Sequence, residues 1–191
     1  MHTGSSRTSR TLAVALLAAC ANAAPAPETP HGAVRDGQHD FDFHVGSWRT
    51  HVRLLPGALS GGERWVEYDG VTHVRPVWSG RANLVELVAD GPAGHLELLS
   101  LRLYDPEAGT WALHVGNARD GSMSPPTIGR FEAGRGVFVG RETMDGRSVL
   151  VRFTISDITA TSCHFEQALS SDEGTTWVVN WIATDTRQDE S

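Results

Sequence analysis

From Phe41 onward, apolar and polar residues alternate with a period of two, and turn-forming residues break the pattern roughly every 8 to 15 positions. Such a period restricts the chain to strands that turn one face to a core, because on a helix it would scatter the apolar side chains around the axis. Val149, Val151, Phe153 and Ile155 alternate with Leu150, Arg152, Thr154 and Ser156. Trp177, Val179, Trp181 and Ala183 are interleaved with Val178, Asn180, Ile182 and Thr184 in the same way. Asp145-Gly146 is a two-residue hairpin signal, and Gly134-Arg135-Gly136, Asp172-Glu173-Gly174 and the stretch from Asp105 to Gly109 separate further strand patterns. Links this short join antiparallel neighbours. The pattern predicts about ten strands, at 42–54, 62–75, 81–89, 95–104, 110–117, 127–132, 136–143, 147–156, 162–170 and 176–185, without an amphipathic helix. So many antiparallel strands hide their edges most simply by closing into an up-and-down barrel rather than a sandwich. The Gly-, Ser- and Pro-rich segment 119–126 has the unusual composition of a loop that caps a barrel mouth.

At the entry to the first strand, Gly46-Ser47-Trp48 resembles the Gly-x-Trp signature of the calycin superfamily, which includes lipocalins and fatty-acid-binding proteins. The resemblance implies that Trp48 closes the barrel base against a basic side chain, for which Arg187, after the last strand, is the counterpart. Gly46, Trp48 and Arg187 are therefore expected to be structural. A wider likeness covers most of residues 40–187. It runs through Phe41-Asp42-Phe43-x-Val45-Gly46-x-Trp48, Leu101-Arg102-Leu103-Tyr104-Asp105-Pro106, Gly129-Arg130-Phe131, Phe165-Glu166-Gln167-Ala168-Leu169-Ser170 and Asp172-x-Gly174-x-Thr176-Trp177. These residues look like bacterial calycin-like domains of unknown function, which implies a lipocalin-like fold and supplies no catalytic residue.

The N-terminus reads as an export signal. Arg7 and Arg10 precede the apolar run Leu12–Ala19, which is too short to span a bilayer. The run ends in Leu17-Ala18-Ala19-Cys20, which resembles the bacterial lipobox and implies lipidation of Cys20 after removal of residues 1–19. Cleavage after Ala21-Asn22-Ala23 is the competing reading, with a signal over 1–23. Residues 20–38, with Pro25, Pro27 and Pro30, read as a tether. The barrel domain is expected over 39–187 and a tail over 188–191. The expected address is the periplasm or, as an anchored lipoprotein, the outer membrane of a bacterium.

The balance of 16 Lys and Arg against 23 Asp and Glu over 191 residues lacks the footprint of nucleic-acid binding, and leaves the lipid anchor as the expected membrane contact. With Cys20 acylated or removed, Cys163 has no intrachain partner and is expected to be a small buried hydrophobe. If His39 to His44 form a strand, Asp40, Asp42 and His44 share a face at nearly 7 Å intervals, too far apart to ligate one metal, so no metal site is expected. Calycin barrels that hold haem continue a Gly-rich pattern past the Trp, whereas Trp48 is followed by Arg49-Thr50-His51-Val52-Arg53, so no cofactor is expected. His114 and His164 are the histidines best placed on central strands. Cys163 and His164, being adjacent, point to opposite faces and form no dyad.

On the last strands Arg152, Glu166 and Asn180 fall opposite the aromatic positions. They either face water or line a cavity, and a one-residue bulge would reverse the answer. The leading functional expectation is a barrel that binds a small, mostly apolar molecule inside, with Arg152, Glu166, Asn180, Trp111 and His114 as ligand contacts. Two alternatives are an enzyme using Glu166, Arg152 and His164 for acid–base chemistry in the cavity, and an envelope interaction module with a solid barrel.

Overall fold

The alternation of apolar residues becomes ten strands: β1 (Gly46–Leu54), β2 (Val66–Val77), β3 (Ala82–Gly91), β4 (Gly94–Asp105), β5 (Thr110–Asn117), β6 (Thr127–Glu132), β7 (Arg135–Met144), β8 (Arg147–Ser156), β9 (Ser162–Ser170) and β10 (Val178–Arg187). They are seen in a computed structural model that describes residues 36–118 and 121–188. The signal segment, Cys20 and the tether as far as residue 35 lie outside the described residues. Every strand pairs antiparallel with its neighbour in sequence, and β1 pairs with β10 through seven registered residues, Trp48↔Arg187 to Leu54↔Trp181. The result is a closed ten-stranded up-and-down barrel, with no free edge. At the β7–β8 hairpin both central residues, Asp145 and Gly146, have positive φ, the geometry expected of an Asp-Gly turn.

The first strand departs from expectation. Asp42–His44 form a 3₁₀ turn, and β1 starts at Gly46. Asp40, Asp42 and His44 therefore do not share a strand face: Asp42 Oδ2 lies 2.7 Å from His39 Nδ1 on the surface, while His44 is buried. The turn drives Phe41 into the barrel end, where it meets Trp111, Phe131 and Phe138 at ring-centroid distances of 5.0, 5.0 and 5.9 Å. Gly37, assigned to the tether from the sequence, belongs to this plug. Its N–H donates to the Tyr104 hydroxyl at 2.8 Å, and its carbonyl accepts from Trp111 Nε1 at 2.9 Å.

Arg187, the last residue of β10, locks the plug. Its guanidinium lies 4.1 Å from the Trp48 ring and donates to the carbonyls of Phe43, Val45 and Ala160 at 2.6, 3.0 and 3.0 Å. Trp48, fully buried, donates its indole N–H to the His44 carbonyl at 2.8 Å. Gly46 has φ +119°, and a Cβ there would lie 3.0 Å from Arg187 Nη1, so a side chain would strain the backbone and crowd the lock. The plugged end has short connections between strands. The opposite end carries the longer ones, 55–65, 118–126 and 171–177.

A second departure lies in β10. The register with β9 shifts between Val179 and Trp181, leaving Asn180 as the extra residue of a bulge. Trp177 and Trp181 thus end on different faces, although simple alternation had put them together. Trp181 lines the interior, and Trp177 stacks 4.2 Å from the Arg152 guanidinium.

Candidate functional site

Above the aromatic plug, the barrel interior holds a cavity of about 120 Å³. Its walls are Val85, Leu87, Leu98, Leu113, Val115, Phe153, Ile155, Phe165, Trp181 and Ala183, and its polar residues are His44, Thr50, Thr72, Ser100, Arg102, Gln167 and Asp185. Strand parity explains the lining. Thr50 lies between Trp48 and Val52 on the inward face of β1, Ser100 and Arg102 follow Leu98 on β4, and Asp185 follows Ala183 on β10.

The polar end is a directed hydrogen-bond chain. Arg102 Nη1 lies 3.1 Å from His44 Nδ1, and because a guanidinium only donates, Nδ1 accepts and the ring proton sits on Nε2. That Nε2–H donates to Asp185 Oδ2 at 2.8 Å. Thr50 donates to Asp185 Oδ1 at 2.6 Å, so the 2.6 Å contact between Thr50 and Thr72 is donated by Thr72. Every proton in the chain points toward the Asp185 carboxylate. Burial holds the His44 pKa down at about 4, outweighing the Asp185 hydrogen bond, and the neighbouring Arg102 charge acts the same way; His44 is neutral at pH 7. Burial lowers Arg102 to about 10, which leaves it a cation.

Cys163 is also buried, and its sulfur lies with the donor atoms of His44 and Asp185 in a group no more than 4.8 Å across. Three such donors are the raw material of a metal site. The tautomer argues against one, since His44 Nε2 carries the proton and its other nitrogen is engaged by a cation. Burial also pushes the Cys163 thiol up to about 12.

The residues expected to contact a ligand lie elsewhere. Arg152 and Glu166 occupy the outer parity of β8 and β9, and they are not lateral neighbours: Arg152 pairs with Ala168, while Glu166 pairs with Thr154 and Ile182. Asn180, in the bulge, accepts from Gln167 Nε2 at 3.2 Å and is outside the cavity lining. Trp111 is fully buried in the aromatic plug. His114 has outward parity, with Nδ1 3.3 Å from the Ser124 carbonyl, and His164 has outward parity on β9. Trp65 stacks under Arg53 at 4.9 Å, and Trp78 is exposed. Of the sequence-selected residues, Gly46, Trp48 and Arg187 are brought together; Arg152, Glu166 and Asn180 are not. The polar residues of the cavity were missed. The signal that marks them is a charged or hydroxyl residue at an inward position of an otherwise apolar strand face, as with Asp185 beyond Trp181 and Ala183.

No protein-family model matches the chain, and no curated protein matches it. Among solved structures it is similar to the S-type phycobiliprotein lyase CPES from Guillardia theta, at 12% identity and a TM-score of 0.53, over 82% of this chain and 95% of that one. It also matches a redesigned β-barrel, mFAP1, bound to DFHBI, at 10% identity and a TM-score of 0.43 over 80% and 100% of the two chains. A de novo fluorescence-activating barrel matches at 11% identity and a TM-score of 0.42 over 81% and 99%. At such identity, the likeness to the lyase carries the fold of this chain, a closed antiparallel barrel.

Proposed function

We propose that this protein is an exported barrel that takes up a small, mostly apolar molecule in its interior. The observation that carries this reading is the cavity: a wall of aliphatic and aromatic side chains with its polar groups, Gln167 apart, gathered at one end, the arrangement that fixes the orientation of a largely apolar ligand. Its volume of about 120 Å³ compares with an engineered cavity of about 150 Å³ that admits benzene, so the occupant is a compact molecule of about one ring. Glu166, Arg152 and His164, on which the enzymatic alternative was placed, have outward parity and are not among the residues lining the cavity. The Leu17–Cys20 motif supports export and a lipid anchor at Cys20.

The test is native mass spectrometry of the full chain after expression in a bacterial host, together with Trp fluorescence titration against toluene, benzyl alcohol and benzoate. Saturable binding of at least one probe, or extra mass released on denaturation, is expected. A bare polypeptide that responds to no probe would overturn the reading in favour of a solid barrel. Mass added by acylation at Cys20 would establish the anchor, and a Soret band in the absorption spectrum would reverse the expectation that no haem is held.

A further inference from the structure

We propose that the cavity selects compact organic acids, with the ligand carboxylate docked on Arg102 and Ser100. The inference rests on the reading of the cavity as a binding site and names the class of molecule it takes.

Arg102 is 5% exposed and lines the cavity, yet its guanidinium makes a single hydrogen bond, to His44 Nδ1, and no ion pair among the described residues. Its Nε is buried with no acceptor. A guanidinium has five N–H donors, and a buried one is ordinarily paired with a carboxylate. The rings of Phe41 and Phe165, 4.3 and 5.7 Å away, hold the cation without accepting a hydrogen bond in its plane. Asn83, opposite Arg102 in the β3–β4 register, is also buried, but its Oδ1 has no partner either, so it does not supply the missing acceptor.

Ser100 stands two residues before Arg102 on the same inward face of β4. It is buried and lines the cavity, and its hydroxyl has no protein partner among the described residues. Asp185, the carboxylate of the cluster, already accepts from His44 and Thr50, and it reaches Arg102 only through the neutral imidazole. Arg102 and Ser100 thus line one space, which Leu87, Leu98 and Phe165 also bound. A carboxylate satisfies a guanidinium with two parallel hydrogen bonds. Arg102 and Ser100 therefore discriminate by charge, and the apolar wall limits the size of the acid.

The experiment compares isosteric pairs, benzoate with benzamide and isovalerate with isovaleramide, at pH 7.5 on the full-length protein, by isothermal titration and Trp fluorescence. Each acid is expected to bind about tenfold or more tightly than its amide, as a charge-assisted hydrogen bond predicts. In Arg102→Met the ratio is expected to fall to about one with amide binding retained, and in Ser100→Ala the acid alone weakens. Amides that bind the wild type as well as the acids would overturn the inference and leave the cavity reading standing. No binding by acids, amides or toluene would overturn both. If Arg102→Met fails to fold, the wild-type ratios decide the matter without it.

Discussion

A neutral, buried His44 makes folding stability depend on pH in a defined window. Its pKa is about 4 in the folded protein against 6.5 when exposed, because burial disfavours the imidazolium more than the Asp185 hydrogen bond favours it. Above pH 6.5 the ring is neutral in both states and contributes no pH dependence. Between 6.5 and 4 the unfolded chain takes up a proton that the folded chain refuses, so stability falls as pH falls, and below 4 this contribution levels off. The gap between the two values, at roughly 1.4 kcal/mol per pH unit, corresponds to about 3 kcal/mol. Urea unfolding from pH 7.5 to 4.0, compared between the wild type and His44→Gln, isolates the effect from surface carboxylates common to both. The wild type is expected to lose about 3 kcal/mol relative to the variant, or about 1.5 M in urea midpoint at an m-value near 2 kcal/mol/M. Nitrogen NMR of the wild-type ring gives a second check, with the proton expected on Nε2 at pH 7. Parallel pH profiles, an imidazole that titrates near 6.5, or an Nδ1–H tautomer would refute the reasoning.

Other consequences follow from the plug and the buried thiol. Arg187→Met removes the donors to three carbonyls and the contact with Trp48, and is expected to cost about 2–4 kcal/mol, read as a drop of roughly 5–15 °C in Tm. A loss below about 1 kcal/mol would show that the base closes without the lock. Cys163, 1% exposed and with its thiol raised to about 12, is expected to resist a thiol reagent at pH 8 until the barrel is unfolded in denaturant; rapid labelling of the native protein would contradict its placement.

Strand number and order were legible in the sequence because a half-buried strand repeats its environment every two residues and each short turn uses residues suited to positive φ. Val149–Ile155 and the Asp145-Gly146 hairpin lie where local pattern alone puts them. The Gly46-Ser47-Trp48 signature likewise announced a barrel base, and its meaning is local: Gly46 takes a backbone angle that other residues avoid, and Trp48 starts the inward face. Local pattern could not show which strands meet across the closed sheet or where alternation slips by one residue. The bulge at Asn180 separates Trp177 from Trp181, and the turn at Asp42–His44 lets Phe41 and His44 both reach the interior, where an uninterrupted strand would have put them on opposite faces. Tertiary structure alone decided the site. His44, Arg102 and Asp185 come from the N-terminal turn, β4 and β10, and His44 and Asp185 are 141 residues apart in sequence but hydrogen-bonded at 2.8 Å. Such a cluster arises only when β1 pairs with β10 and the N-terminal segment folds beneath the barrel. A charged side chain then meets its partner by the geometry of closure, for which no spacing in the sequence is a signal.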